Sequence, residues 1–145
     1  MIILWGLMIG IVIVTHSRLG DALIEAVESI VGKNLENTAS VSVNLKESAE
    51  KMRSKISTEI KKVDQNEGVL ILTDMFGGTP SNLSYSFLEE GRIEVISGVN
   101  LPILFKAIET RDKTELPQLE ANLEAFGKKS ISLASGILKG NKRGQ

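Results

Sequence analysis

The sequence predicts an α/β fold with a doubly wound, mainly parallel sheet and helices on both faces. Short runs of Val, Ile and Leu alternate with longer segments in which apolar residues recur every three or four positions. Such alternation is typical of βαβ units joined by right-handed crossovers. A length of 145 residues suits one domain, and 42% hydrophobic with 24% charged residues is ordinary for a globular protein. We therefore expect one domain over residues 8–138 and the strand order 2-1-3-4.

The apolar N-terminus is interpreted as the first strand and not as a membrane segment. Residues 1–14 carry no charge, but they are fewer than the ~20 residues that a helix needs to span a bilayer. They also lack the basic region and the cleavage site of a signal peptide. The prediction is a buried strand from Ile9 to Thr15, preceded by an apolar leader or extension over residues 1–7. We expect a cytoplasmic protein without direct membrane insertion.

The first half of the chain adds two amphipathic helices and one edge strand. A helix is expected from Leu19 to Val31, with Gly32 ending it. Apolar and serine residues alternate from Ala39 to Val43, which favours an edge strand with one wetter face. The segment from Glu47 to Val63 carries one apolar stripe among charged residues and predicts a surface helix.

The second half continues the alternation. The expected elements are a strand buried on both faces at Val69–Leu72, a helix at Ser81–Glu89, a strand at Ile93–Ile96, a helix at Leu101–Thr110 capped by Asn100, a helix at Leu116–Phe126 and a last short strand at Ser130–Leu133. Residues 139–145 form a Gly/Lys/Arg tail that is expected to be loose. No internal repeat or linker interrupts the series.

The segment from Leu70 to Asn82 has the pattern of a strand, a glycine turn and a helix N-terminus. Asp74 follows the strand, and Thr79 and Pro80 suit the N-cap and the first helical position. Backbone N–H groups at such a turn can hold an anion. The alternative is an ordinary strand-to-helix loop, in which Gly77 and Gly78 serve only the turn.

A histidine follows the first strand, and the predicted strand order brings it near Asp74. Strands one and three are neighbours at the topological switch point, so His16 and Asp74 are expected within hydrogen-bond reach. A carboxylate that accepts the Nδ1–H of imidazole leaves Nε2 as a nucleophile and stabilises positive charge on the ring. This pair suits an imidazole that accepts a phosphoryl group, with anion donors from Ser17, Thr79 and the amides of Gly77 and Gly78. The alternative is a structural histidine.

Composition excludes several other chemistries. The chain has no cysteine and one histidine, so a thiolate zinc site is excluded, and no acidic pair is spaced to hold a metal. No lysine follows the glycines, which excludes a P-loop. A net charge of -1 gives no excess of basic residues that would indicate nucleic-acid binding. We expect no cofactor and a protein as phosphoryl donor. The residues predicted to dock that donor are Arg18, Met75, Phe76, Asn100 and Leu101.

Three motifs resemble the IIA domain of the mannose-type sugar phosphotransferase system. Residues 11–16 (IVIVTH) resemble its first strand and phospho-accepting histidine, residues 72–82 (LTDMFGGTPSN) its second signature, and residues 97–102 (SGVNLP) its third. The resemblance implies that His16 takes a phosphoryl group from the histidine phosphocarrier protein HPr and passes it to a separate IIB protein. Asp74 would orient the ring. The resemblance also implies a homodimer in which the last strand crosses to the other subunit as an antiparallel edge strand.

One departure and two alternative functions accompany the resemblance. Ser17 stands where many members have glycine, which bears on the donor geometry beside the histidine. One alternative is a regulatory module whose phosphorylation reports metabolic state. The other is the phosphotransfer subunit of a dihydroxyacetone kinase, which shares the fold and the start of the first motif but is expected to differ in the Gly-Gly-Thr-Pro loop.

Overall fold

The computed structural model describes residues 6–140 as a four-stranded, all-parallel sheet in the order β2-β1-β3-β4. The elements in chain order are β1 (Gly10–His16), α1 (Leu19–Val31), β2 (Thr38–Val43), α2 (Ala49–Val63), β3 (Val69–Thr73), α3 (Thr79–Tyr85), β4 (Ile93–Ser97), α4 (Leu101–Thr110), α5 (Leu116–Lys129) and α6 (Ala134–Leu138). The predicted α/β class, strand order and edge position of β2 are confirmed. Within the described range, no helix combines the length and the hydropathy needed to cross a bilayer.

The sheet is covered on both faces because β1 and β3 are apolar on both. On one face, alternate residues of the two strands pack against α1, α4 and α5, with Ile13 and Leu72 among them. On the other face, Val14 and Ile71 belong to a second cluster with α2 and α3. Continuous apolar runs are the pattern that a central parallel strand requires.

The register of β1 against its neighbours determines where its carboxyl end lies. Pairing with β3 ends at Val14 opposite Thr73, whereas pairing with β2 continues to His16 opposite Val43. The last two residues of β1 therefore extend beyond its ladder with β3. This places His16 at the edge where the loop after β3 begins.

Helix α3 is shorter than predicted and begins earlier. The sequence predicts Ser81–Glu89 with Thr79 as N-cap, whereas the structure has Gly78 as N-cap and ends the helix at Tyr85. The helix stops because Ser86 and the residue after it bond to carbonyls only three positions back, and the Ser86 hydroxyl donates to the Leu83 carbonyl at 2.6 Å. Such bonds tighten the chain into a turn.

The C-terminal region differs from the expected edge strand. Helix α5 runs to Lys129, three residues beyond the predicted end, and Ser130 is its C-cap. Residues 131–133 form no strand in the single chain and lead into α6, which has no buried residue. The expected leader and tail lie largely outside the described residues, at 1–5 and 141–145.

Arg111, the C-cap of α4, is a buried charge at the sheet's amino end, opposite His16. Its guanidinium donates to the Asn37 carbonyl at 2.9 Å, to the Thr38 hydroxyl at 3.0 Å and to the Glu36 carbonyl. Burial lowers the pKa of Arg111 to about 10, although the charges of Asp112 and Glu36 act in the other direction. Arg111 therefore joins the end of α4 to the start of β2.

We expect Arg111→Met to lower the free energy of unfolding by about 3 kcal/mol, because it removes the charged hydrogen bonds to Glu36, Asn37 and Thr38 that join α4 to β2. Urea unfolding followed by circular dichroism measures the change. Lys113→Met, at an exposed position two residues on, is the control and should change stability by less than about 0.5 kcal/mol. Equal effects of the two substitutions would contradict the structural role of Arg111.

Candidate functional site

The loops after β1 and β3 bring His16 and Asp74 into direct contact. Asp74 Oδ2 lies 2.8 Å from His16 Nδ1 and also accepts the His16 backbone N–H at 2.9 Å. The carboxylate thus occupies the side of β1 where the ladder with β3 has ended. The sequence prediction that these two residues come together is confirmed.

The pair combines a buried carboxylate with a partly exposed ring. The side chain of Asp74 is 11% exposed and that of His16 is 38% exposed. Burial, the largest single effect, raises the pKa of Asp74, but the backbone and ring hydrogen bonds from His16 and the ring's positive charge together outweigh it, and the pKa lies below its usual range. The carboxylate is therefore charged at neutral pH. It favours a ring that carries its proton on Nδ1.

Gly78 lies close to the Cε1–Nε2 edge of the imidazole. A Cβ placed on Gly78 would lie 2.9 Å from His16 Cε1 and 3.4 Å from Nε2, closer than side chains allow for the first of these. Glycine is thus required for close approach of the backbone to the ring. Asp74 thus contacts the imidazole at Nδ1, and Gly78 lies beside the adjacent Cε1–Nε2 edge.

Ser81 organises the glycine loop, although it was not among the site residues predicted from the sequence. Its hydroxyl accepts the Gly77 N–H at 3.0 Å and donates to the Gly78 carbonyl at 3.0 Å. The Gly77 amide, predicted as an anion donor, is therefore already bonded within the loop. A serine in the first turn of a predicted helix, three and four residues after two glycines, was the available signal.

Ser17 and Thr15 shape the turn into α1. Ser17 has φ 50°, in the left-handed region that glycine adopts without strain. This explains why glycine suits this position in the sequences that the motif resembles. Thr15, which the sequence analysis did not single out, accepts the Gly20 N–H at 2.9 Å and so satisfies an amide in the first turn of α1.

The predicted docking residues divide into two groups. Arg18, Met75 and Phe76 are exposed beside the pair, and Phe76 is 79% exposed. Asn100 and Leu101 begin α4 and have structural contacts. The Asn100 side chain accepts the Ile103 N–H at 2.9 Å and donates to the Ser130 hydroxyl at 3.2 Å, while Leu101 packs against the core. The predicted cap at Asn100 is confirmed.

The geometry fits nucleophilic chemistry at His16 Nε2. The ring's hydrogen bonds within residues 6–140 use Nδ1 only, so Nε2 keeps its lone pair. Thr79 is exposed at the start of α3, next to Gly78. Across the described part of the chain, no three carboxylate or imidazole groups are placed to share a metal ion.

Comparison with known families gives one match over most of the chain. A family model described as the fructose IIA component of the phosphotransferase system matches residues 10–124. The fructose-specific EIIA component of Bacillus subtilis (strain 168) is 33% identical over 133 residues, which cover 91% of this chain and 90% of that protein. The sorbose-specific EIIA component of Lacticaseibacillus casei is 31% identical over 78% of this chain and 81% of its own length.

A two-part relative and a solved structure complete the comparison. The mannose-specific EIIAB component of Escherichia coli (strain K12) is 35% identical over 72% of this chain, which spans 32% of that protein. The crystal structure of a phosphotransferase system EIIA component from Streptococcus agalactiae superposes with a TM-score of 0.79 at 27% identity, covering 88% of this chain and 98% of that one. The fold and the sequence therefore point to the same family.

We expect Asp74 to stabilise the fold at neutral pH and to lose that contribution in acid. Because its pKa is lower in the folded chain, its stabilisation is complete above the ordinary aspartate pKa of about 3.9 and disappears as the pH falls through the folded-state value. Urea unfolding of the wild type and Asp74→Asn, from about pH 7 to about pH 2, should show their stability difference narrowing only below about pH 4. Glu25→Gln, on an exposed face of α1, is the control. Equal narrowing for both variants would contradict the role of Asp74.

Proposed function

The chain belongs to the fructose/mannose-type IIA components of the sugar phosphotransferase system, and we propose that it carries the phosphoryl group on His16. Members of this family are phosphotransferases that take a phosphoryl group from HPr and pass it to IIB. The observation that carries the assignment is the contact of 2.8 Å between His16 Nδ1 and Asp74 Oδ2, which leaves Nε2 as the ring's nucleophile. His16 is also the one histidine in the sequence.

The proposed transfer exchanges one N–P bond for another. The lone pair of His16 Nε2 attacks phosphorus as the N–P bond of the donor's phosphohistidine breaks, and that bonding pair stays on the donor nitrogen. No proton leaves His16, because Nδ1–H remains bonded to Asp74. The ring gains positive charge, and the carboxylate stabilises it. Asp74 therefore orients the nucleophile and supports the phosphorylated state.

The anionic oxygens of the phosphoryl group need donors near Nε2. We assign this role to the hydroxyls of Ser17 and Thr79 and to the amide of Gly78. Ser17 follows His16 directly, and Thr79 follows Gly78, whose backbone touches the ring. Gly77 contributes through the shape of the loop, since its amide is bonded to Ser81.

The exposed apolar residues beside His16 suit a transient protein donor. Met75 and Phe76 lie on the loop that supports the ring, and Arg18 follows the histidine with its side chain in solvent. A small apolar patch with a charge at its rim favours quick encounter and release. We propose that HPr and a separate IIB protein dock here in turn, in the cytoplasm, and that transfer uses neither nucleotide nor metal.

The sequence is compatible with two other functions. A purely regulatory module and a dihydroxyacetone kinase subunit are not favoured, because the related proteins are components of sugar phosphotransferase systems. Those relatives carry the names of fructose, mannose and sorbose at 33%, 35% and 31% identity. These three identities are nearly equal and therefore do not indicate which sugar this chain serves. We propose sugar phosphotransfer without choosing a sugar.

We expect purified phospho-HPr to label the wild type with acid-labile phosphate, and His16→Ala to take up none. The label should appear in excess EDTA, whereas Mg-ATP alone should give none, because the donor is a protein and the site holds no P-loop. Label on His16→Ala, label from Mg-ATP, or no label on the wild type would each overturn the assignment.

Asp74→Asn separates the orienting acid from the nucleophile. This variant should reach full labelling about 10²–10⁴-fold more slowly than the wild type, as is typical for loss of a positioned acid–base partner. Circular dichroism verifies that both variants fold. Labelling of Asp74→Asn at the wild-type rate would remove Asp74 from the mechanism.

We also propose a homodimer that forms through the free edge of β4. Among the described residues, β3 is the one strand that pairs with β4; the other side of β4 carries an isolated bridge from Ile93 to Glu89, and a groove of about 780 Å³ runs along it. The C-terminal segment packs little against its own chain: Ile131 is 76% exposed and Leu133 is 70% exposed. An uncovered sheet edge favours strand addition, and the segment from a second copy would supply an antiparallel strand.

We expect the double substitution Ile131→Glu and Leu133→Glu to convert the dimer to a monomer of unchanged fold, because both side chains are exposed in the single chain. Light scattering measures the mass in solution. Leu45→Glu, at an apolar position 69% exposed and remote from the groove, is the matched control and should remain dimeric. A dimer that survives the double substitution, or a wild type that is monomeric, would contradict the proposal.

A further inference from the structure

We propose that Ser81 is a positioning residue for phosphoryl transfer, which holds the loop of Gly77 and Gly78 against the imidazole of His16. The inference rests on the proposed role of His16 as phosphoryl carrier. It concerns a side chain that does not touch the ring itself. Ser81 acts through the backbone of the two glycines.

The Ser81 hydroxyl bonds to both glycines at once. Its oxygen accepts the Gly77 N–H at 3.0 Å, and its proton goes to the Gly78 carbonyl at 3.0 Å. That carbonyl also accepts the Asn82 N–H at 3.0 Å, as the first bond of α3. The two glycines are thereby fixed to the first turn of the helix. Ser81 itself is fully buried, so its rotamer is held by packing.

The position of this loop determines the position of the ring. Asp74 holds the imidazole at Nδ1, and Gly78 lies against Cε1 and Nε2. A Cβ on Gly78 would be only 2.9 Å from Cε1, so the space between the loop and the ring is too small for a side chain. A shift of the loop would therefore change the space beside the nucleophilic nitrogen. Misplacement of about 1 Å can slow an enzymatic reaction by about 10²-fold.

The loop needs such a restraint because of its composition. Two consecutive glycines lose more conformational freedom on ordering than any other pair, and Gly77 has φ 90°. The residues before them, Met75 and Phe76, are exposed, and Phe76 packs through a tilted contact with Tyr85 at 6.2 Å between ring centroids. Within the described chain, the Ser81 hydroxyl is the side-chain group that hydrogen-bonds to both glycines.

Ser81 is a positioning residue and not a ligand of the phosphoryl group. Its only proton is donated to Gly78, so no O–H remains for an anion. Ser81 is buried, whereas Ser17 and Thr79 are exposed beside the ring. Loss of the hydroxyl should therefore slow transfer without changing how many sites accept phosphate.

Helix α3 offers a matched control in Ser84. Ser84 is also fully buried, but its hydroxyl donates to the Pro80 carbonyl at 2.7 Å, within the helix, and does not reach the loop. Ser81→Ala and Ser84→Ala each delete one buried hydroxyl from the same helix and each introduce a good helix former. The experiment compares single-turnover labelling of the two variants and the wild type by saturating phospho-HPr.

We expect Ser81→Ala to reach one phosphate per chain, as the wild type does, with a rate constant lower by about 10- to 100-fold. Ser84→Ala should be within about threefold of the wild-type rate. A variant that is merely less folded would show a lower final labelling, so the end point separates positioning from folding. Ser81→Thr, which keeps the hydroxyl, should recover most of the rate lost in Ser81→Ala.

A measurement on the wild type tests the same contact without any variant. The Gly77 amide, bonded to Ser81, should exchange its hydrogen more slowly than an unstructured glycine amide, and Ser81→Ala but not Ser84→Ala should remove that protection. A Gly77 amide that exchanges freely in the wild type would overturn the inference. Ser81→Ala at the wild-type rate, or equal slowing in both alanine variants, would do so as well. If the wild type itself took no label, the failure would lie in the assignment of His16 instead.

Discussion

One carboxylate oxygen, Asp74 Oδ2, connects the ends of the two central strands. It accepts the backbone N–H and the ring Nδ1 of His16, at the point where β1 has extended beyond its ladder with β3. Because of this register, the His16 N–H has no partner in β3, and the side chain of the first residue after β3 accepts it. The ring's orientation follows from the sheet, because the strand that carries the histidine and the strand that carries its partner are adjacent at the topological switch point.

In the transfer that we propose for His16, the same carboxylate stabilises the phosphorylated ring more than the unphosphorylated one. Asp74 is largely buried, and its second oxygen, Oδ1, has no hydrogen-bond partner within the described residues. A buried anion is stabilised most by a neighbouring positive charge. In the neutral form that attacks phosphorus, the ring supplies only a hydrogen bond, whereas a ring phosphorylated on Nε2 supplies a cation at the same distance. Stabilisation thus grows as the N–P bond forms, which is the difference that speeds a reaction.

The sequence was sufficient for the features that depend on pattern and neighbourhood along the chain. Apolar runs predicted the strands, and the predicted strand order was enough to bring His16 to Asp74. The end of α3 was missed because serine hydroxyls and bonds three residues back compete with the helix after Tyr85. The sequence pattern also could not predict the close approach of Gly78 to the ring, since that approach depends on distances of a few tenths of an ångström. Residues 131–133 form no strand in the single chain, and in the homodimer that we propose they would pair with the β4 edge of a second copy.

A phosphoryl carrier must bind the phosphoryl group and also release it. The site is suited to both because it is held rigidly and is not enclosed. The ring is partly exposed, so a donor and an acceptor can each reach Nε2. What the fold supplies is position: a carboxylate at Nδ1, a glycine backbone beside Cε1 and Nε2, and a buried serine that bonds to that backbone. Uniformly tight binding of the phosphoryl group would slow its release to the next protein, whereas preorganisation lowers the barrier in both directions. A family that serves sugars as different as fructose, mannose and sorbose can therefore keep one phosphoryl site, because the site recognises the group in transit and not the sugar.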